Sequence, residues 1–249
     1  MPPSPRRGTA AVLGVALLAV LAFAGPPAGA RDGVTGSGWV RQIGTYDYLL
    51  TPDYDGLAPI TDVPARVTLG LGTFDRLDGE LVLLGGVIYR VGIDGRPGVV
   101  DEPRTTPFFQ AVRFSPQRHS SVPPGTTCTE LLALVDDLAG TSDGLLAVRV
   151  RGSFEAVTFR SVPPQEPPYL PISDVIAADQ VQFPLSDVTA TLVGFRGGRD
   201  VLGIGAPGLH LHGVTNDRAV GGHVLSCTAG ADVRLSLQVT RGAMVEASG

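Results

Sequence analysis

Glycine and proline interrupt this chain so often that only short apolar runs survive between them, and short runs favour strands over helices. With 33 glycines and 21 prolines in 249 residues, a long helical core has few places to form. The segments Leu81–Leu84, Val87–Val91, Phe108–Phe114, Leu145–Val150, Ala156–Phe159, Thr189–Phe195 and Val233–Val239 read as strands. They are rich in apolar, β-branched or aromatic residues and bounded by Gly, Pro, Asp or Ser. Residues 189–195 and 233–239 also alternate with a period of two. Asp78-Gly79, Asp94-Gly95 and Arg151-Gly152 read as turns. Helical pattern is confined to Thr127–Leu138, with Leu131, Leu132, Leu134, Val135 and Leu138 as its stripe, and a weaker Asp174–Gln180 capped by Ser173. The expected fold class is α+β, mainly β: mixed or antiparallel sheets forming two packed β-rich subdomains with few helices.

The first thirty residues stand apart from that pattern. Arg6 and Arg7 precede an uncharged run, Ala10–Ala24, and Ala28-Gly29-Ala30 supplies a small-x-small cleavage sequence. This is the form of a secretory signal peptide, with an apolar run shorter than the roughly 20 residues of a spanning helix. The expected organisation is a signal peptide over 1–30, a flexible mature N-terminus over 31–42 and one domain over 43–249. The expected location is outside the cell or in its envelope, with no membrane association after cleavage. The net charge is −5, two units more negative without Arg6 and Arg7, and there is no basic stripe, so nucleic acid is not an expected partner. Cys128 and Cys227 are candidates for pairing in an oxidising compartment, but spacing does not tell whether their Cβ atoms meet.

One absence narrows the chemistry. All 19 basic residues are arginine, which excludes a Schiff-base lysine and a phosphate-loop lysine. Carbanion chemistry in such a chain points to a metal ion as the electron sink. The metal has an evident home, because three of the four histidines are His210, His212 and His223. Residues two apart on a strand share a face, so His210 and His212 present their imidazoles together. Asn216-Asp217-Arg218 is a turn that returns the chain and brings His223 beside them. Three neutral imidazoles with an open fourth position suit a catalytic Zn2+, here in the C-terminal subdomain. Leu209, Leu211 and Val224 would shield it, and Asp217 is either a second acceptor for an imidazole N–H or an ordinary turn residue. His119, in a polar loop, reads as a surface histidine.

Two further residues are ambiguous by spacing alone. Glu80 opens a strand after Asp78-Gly79, where a carboxylate is often a solvated edge charge. Arg160 reads either as a surface arginine or as a buried guanidinium able to hold a carboxylate substrate bidentately.

Taken as an ordered set, the motifs are more specific. Gly72-Thr73-Phe74-Asp75 through Leu77-Asp78-Gly79-Glu80, Thr106-Pro107-Phe108, and Arg160-Ser161-Val162-Pro163-Pro164-Gln165 come first. His210-Leu211-His212 and Gly221-Gly222-His223-Val224-Leu225 follow. From about Ile43 to Leu225 the chain resembles the α-acetolactate decarboxylase family. That resemblance implies a zinc lyase converting (S)-2-acetolactate to (R)-acetoin and CO2, with a mainly β fold and a homodimer formed through the N-terminal sheet. It also implies that His210, His212 and His223 hold Zn2+ while Glu80 and Arg160 act as polar active-site residues. The family's second active-site glutamate comes from the C-terminal tail, where Glu246 is the residue available. Two alternatives stay open: decarboxylation of a related branched 2-hydroxy-3-oxo acid, and a secreted zinc-binding protein of the same fold without this activity.

Overall fold

Alternating apolar residues build two large sheets packed face to face. The computed structural model describes residues 1–3, 38–63, 65–140 and 142–246; the expected signal peptide lies outside them except for its first three residues. In chain order the first half forms β1 (Trp39–Ile43), α1 (Tyr46–Leu49), β2 (Ala58–Pro59), β3 (Leu69–Thr73), β4 (Glu80–Leu84), β5 (Val87–Val91) and β6 (Pro97–Val99). β7 (Thr105–Thr106), β8 (Phe109–Val112), β9 (Arg118–Ser121) and α2 (Cys128–Ala139) follow. The second half is β10 (Leu145–Ser161), α3 (Ile172–Asp179), β11 (Val181–Gly197), β12 (Gly208–Thr215), β13 (Gly221–Ala229), β14 (Arg234–Val239) and β15 (Gly242–Glu246).

One sheet has seven strands in the order β15-β1-β8-β3-β4-β5-β6, and the other has six in the order β11-β12-β13-β10-β14-β9. All neighbours are antiparallel except β1 and β15. The second sheet also closes on itself, because β10 pairs with β11 as well as with β13. The mixed, mainly β architecture expected from the sequence is therefore present. Leu69, Leu71, Val82 and Phe108 of the first sheet region meet Leu145, Ala147, Val193 and Phe195 of the second in one buried cluster. The alternate residues Leu146, Val148, Val150, Leu192 and Leu211 join α2 residues Leu131 and Val135 in another. Period two thus splits each central strand between two cores.

Three local expectations change. β1 begins at Trp39, inside the stretch expected to be flexible, because Val40, Gln42 and Ile43 are buried and the strand is bonded on both sides. Arg151-Gly152 is not a turn: β10 runs on through it, pairing with β14 before the glycine and with β13 after it. Gly152 holds φ +152, and a Cβ there would lie 2.6 Å from the Asp232 carbonyl oxygen, so glycine marks a change of partner. α3 begins at Ile172 with Pro171 at its N-cap and no side-chain cap, so Ser173 sits inside it. α2 forms where expected, with a capping box between Thr127 and Glu130.

Cys128, the first residue of α2, is disulfide-bonded to Cys227 of β13 across 99 residues of chain, with Cα atoms 5.0 Å apart. Closing so long a loop removes much unfolded-state entropy. Replacing both cysteines by serine should lower the unfolding free energy by about 2–4 kcal/mol in urea titrations, and intact-mass analysis of the parent protein after thiol alkylation should show free thiols only after reduction.

Candidate metal centre

The register between β12 and β13 decides where the histidines go. Thr215 closes the connecting turn: its N–H donates to the Val220 carbonyl at 2.8 Å, and its hydroxyl donates to Asp217 at 2.6 Å. His212 then lies opposite His223, His223 lies opposite Arg160 of β10, and His210 lies two residues before His212 on the same face. The row His212, His223, Arg160 thus spans three adjacent strands and faces the first sheet. Gly222 makes this possible. It holds φ +137, and a Cβ there would sit 2.3 Å from the Arg160 carbonyl oxygen.

Three nitrogens converge. His223 Nδ1 lies 3.3 Å from His210 Nε2 and 3.2 Å from His212 Nε2, and one ligand atom of each imidazole falls within 4.8 Å of the others. A tetrahedral ion with nitrogen ligands at ~2.0–2.1 Å separates them by roughly 3.3 Å, so the observed spacing fits such an ion. The protonation pattern fits as well. Burial holds all three imidazoles below the usual histidine value, His210 at about 4, and the charge on Arg160 adds to this. They are neutral, with lone pairs to give. His212 Nδ1–H donates to the Leu81 carbonyl at 2.9 Å, which leaves Nε2 as its ligand atom. Asp217, considered for such a role, instead accepts from Thr215 and the Ala219 N–H and does not reach an imidazole.

The first sheet supplies the carboxylate. Glu80 opens β4 and is buried, its side chain only 7% exposed, and Arg160 Nη1 donates to Glu80 Oε1 at 3.0 Å. Glu80 Oε2 lies 3.4 Å from His212 Nε2. Burial pushes the Glu80 carboxyl up to about 7, although Arg160 pulls it down. Neither the edge-charge nor the surface-arginine reading holds: Glu80 is buried, the Arg160 side chain is only 11% exposed, and they face each other across the two sheets. Asp78 anchors the turn before Glu80. Its carboxylate is raised by burial but held below the usual range by Arg90 and Arg104, which both bond to it.

These polar groups and Thr73 line a cleft whose remaining wall is apolar, with Leu49, Leu77, Phe108, Val162, Ile172 and Ile176. Apart from Leu77, Phe108 and Val162, which fall inside the motifs, this wall was not evident as a site in the sequence. Its one available signal was the i, i+3, i+4 spacing of Ile172, Val175 and Ile176 on a short helix. Glu246 is not among the lining residues; it is exposed at the end of β15, opposite Ile43. His119 lies on β9 rather than in a loop, bonded to Ser236 and away from the cleft.

A family model described as alpha-acetolactate decarboxylase matches residues 40–248. The alpha-acetolactate decarboxylase of Methanosarcina mazei is 39% identical over 184 residues, covering 74% of this chain and 64% of that protein. The one from Bacillus licheniformis is 31% identical over 205 residues, covering 80% and 81%. The crystal structure of acetolactate decarboxylase from Bacillus subtilis subspecies spizizenii is similar with a TM-score of 0.79 at 29% identity, covering 85% of this chain and 90% of that one. The chain thus spans just under two thirds of the Methanosarcina protein and more of the other two.

Gly222→Ala should force β13 away from β10. A loss of about 1–3 kcal/mol in unfolding free energy is expected, with metal escaping during dialysis that leaves the parent loaded, as read by elemental analysis.

Proposed function

The chain belongs to the alpha-acetolactate decarboxylase family, and on that footing we propose that it decarboxylates (S)-2-acetolactate to (R)-acetoin and CO2 with a zinc ion held by His210 Nε2, His212 Nε2 and His223 Nδ1. The observation that carries this reading is the convergence of three neutral imidazoles with a buried Glu80–Arg160 pair in one small cleft. An all-imidazole donor set favours zinc over the harder, oxygen-seeking cations. When bound, the ion supplies Lewis-acid stabilisation to the oxygens that receive the electron pair left by departing CO2.

The chain's own residues do the rest. Arg160 uses one nitrogen on Glu80, which leaves other N–H groups to hold the substrate carboxylate. The apolar wall from Leu49, Phe108, Ile172 and Ile176 takes the methyl groups and excludes water. Glu80 stands between Arg160 and His212, placed to deliver a proton to one face of the carbon that has lost CO2 and so to set its configuration.

Export and assembly complete the proposal. The Arg6-Arg7, Ala10–Ala24 and Ala28-Gly29-Ala30 sequence has the form of a cleavable leader, and a paired cysteine bridge suits an oxidising compartment. Both support a secreted or cell-envelope enzyme. Its homodimerisation through the N-terminal sheet is carried by the family resemblance alone.

Three variants test the site. His212→Ala should lose both bound zinc and acetoin formation. Arg160→Gln should retain zinc yet lower turnover by about 10²–10³-fold, and Glu80→Gln should also retain zinc while losing rate or stereochemical purity by chiral chromatography. Full acetoin formation by chelated, metal-free protein would overturn the zinc assignment.

A further inference from the structure

The other half of β10 carries a second concentration of charge. Arg149 and Arg151 lie two residues apart on one face. Across β14, Arg149 is opposite Ser236 and Arg151 is directly opposite Arg234. Two like charges facing each other across adjacent strands are destabilising unless something offsets them. Among the described residues none of these three guanidinium groups forms an ion pair, in a protein whose acidic residues outnumber its basic ones by 24 to 19.

The surface around them is concave. The three arginines line a cleft with Ser153, Thr189 and Asn216. Asn216 accepts from Thr191 through its oxygen, so its amide N–H groups remain to donate. Asp232 is the one carboxylate on this lining. Arg149 is half-buried, its guanidinium carbon 5.1 Å from the centre of the Phe114 ring, and this packing holds the group in place against the cleft floor. Burial and the neighbouring charge of Arg151 both disfavour its protonated form, and an anion in the cleft relieves the second of these.

We propose that this cleft binds a small multivalent oxyanion of the phosphate class, at a site separate from the decarboxylation centre. Arg149 and Arg160 are eleven residues apart on the same strand, and the two clefts share no lining residue. Three guanidinium groups with short hydroxyl and amide donors match a tetrahedral oxyanion with several acceptors better than a monocarboxylate, which accepts along one edge. The overall negative charge disfavours an extended polyanion that would reach beyond the cleft.

Isothermal titration of the full-length, zinc-loaded protein with inorganic phosphate tests this, with acetate and sodium chloride at matched ionic strength as comparisons. Saturable one-to-one phosphate binding is expected, weakened about tenfold or more in Arg149→Gln and in Arg151→Gln. The exposed Arg66→Gln variant should bind as the parent does. Both cleft variants should remain folded and keep the parent's acetoin turnover, so that a failure here is separable from a failure of the decarboxylase reading. Non-saturating heats, or equal affinity in parent and cleft variants, would mean an adventitious ion only and overturn the proposal. So would binding to vesicles of anionic lipid without binding to phosphate.

Discussion

Glu80 and Arg160 come from different sheets, and each is nearly sealed from water. A buried carboxylate or guanidinium alone carries a desolvation cost that no apolar neighbour repays. Their pairing is therefore a condition on how the two sheets dock, and much of the rest follows from it. Leu69, Leu71 and Phe108 must meet Val193 and Phe195 closely enough to exclude solvent, yet leave room where the pair and the three imidazoles stand. The same docking brings the Leu81 carbonyl to His212 Nδ1, so one contact surface fixes both the ion pair and the tautomer of a metal ligand.

Each sheet contributes a different kind of precision. Within the second, the β12–β13 and β10–β13 registers place His212, His223 and Arg160 in one row, a matter of hydrogen-bond ladders and one glycine. Between the sheets there is no ladder, only packing and isolated side-chain bonds such as Arg160 to Glu80 and His212 to the Leu81 carbonyl. The Asp78 clamp on Arg90 and Arg104 and the bond from the Thr73 hydroxyl to the Gly79 carbonyl hold the turn from which Glu80 emerges. Arg76 and Leu77, both non-glycine residues at φ near +60°, show that this turn is held against local preference. Backbone bonds from Arg76 N–H to Tyr54 and from Gln165 N–H to Arg76 anchor it on either side.

Much of this was legible in the residue order, for identifiable reasons. Strands announce themselves by alternation and punctuation, and three histidines among four leave little choice of metal ligands. What could not be read depends on neighbours distant in sequence. Arg151-Gly152 looks like a turn because glycine's freedom is visible locally, whereas the exchange of β14 for β13 beside it is not. Pro184 sits inside β11 opposite Thr158, tolerated because β12 pairs with β11 only from Ala190 onward, leaving that stretch an edge. Asp217 looked like a partner for an imidazole, but its own turn consumes its oxygen. A backbone carbonyl such as that of Leu81 has no signature in sequence at all. The apolar wall of the cleft was hidden for another reason: an isoleucine facing a substrate and one facing a core have the same spacing.

All three imidazoles lie on a single hairpin, whereas the acid and the guanidinium meet only when two sheets close together. A folding chain can therefore assemble its metal-binding element from local contacts before its catalytic one exists. On the proposed reading, the ion's ligands can come together before the pair that acts on substrate, so ion capture need not wait for the seam to close.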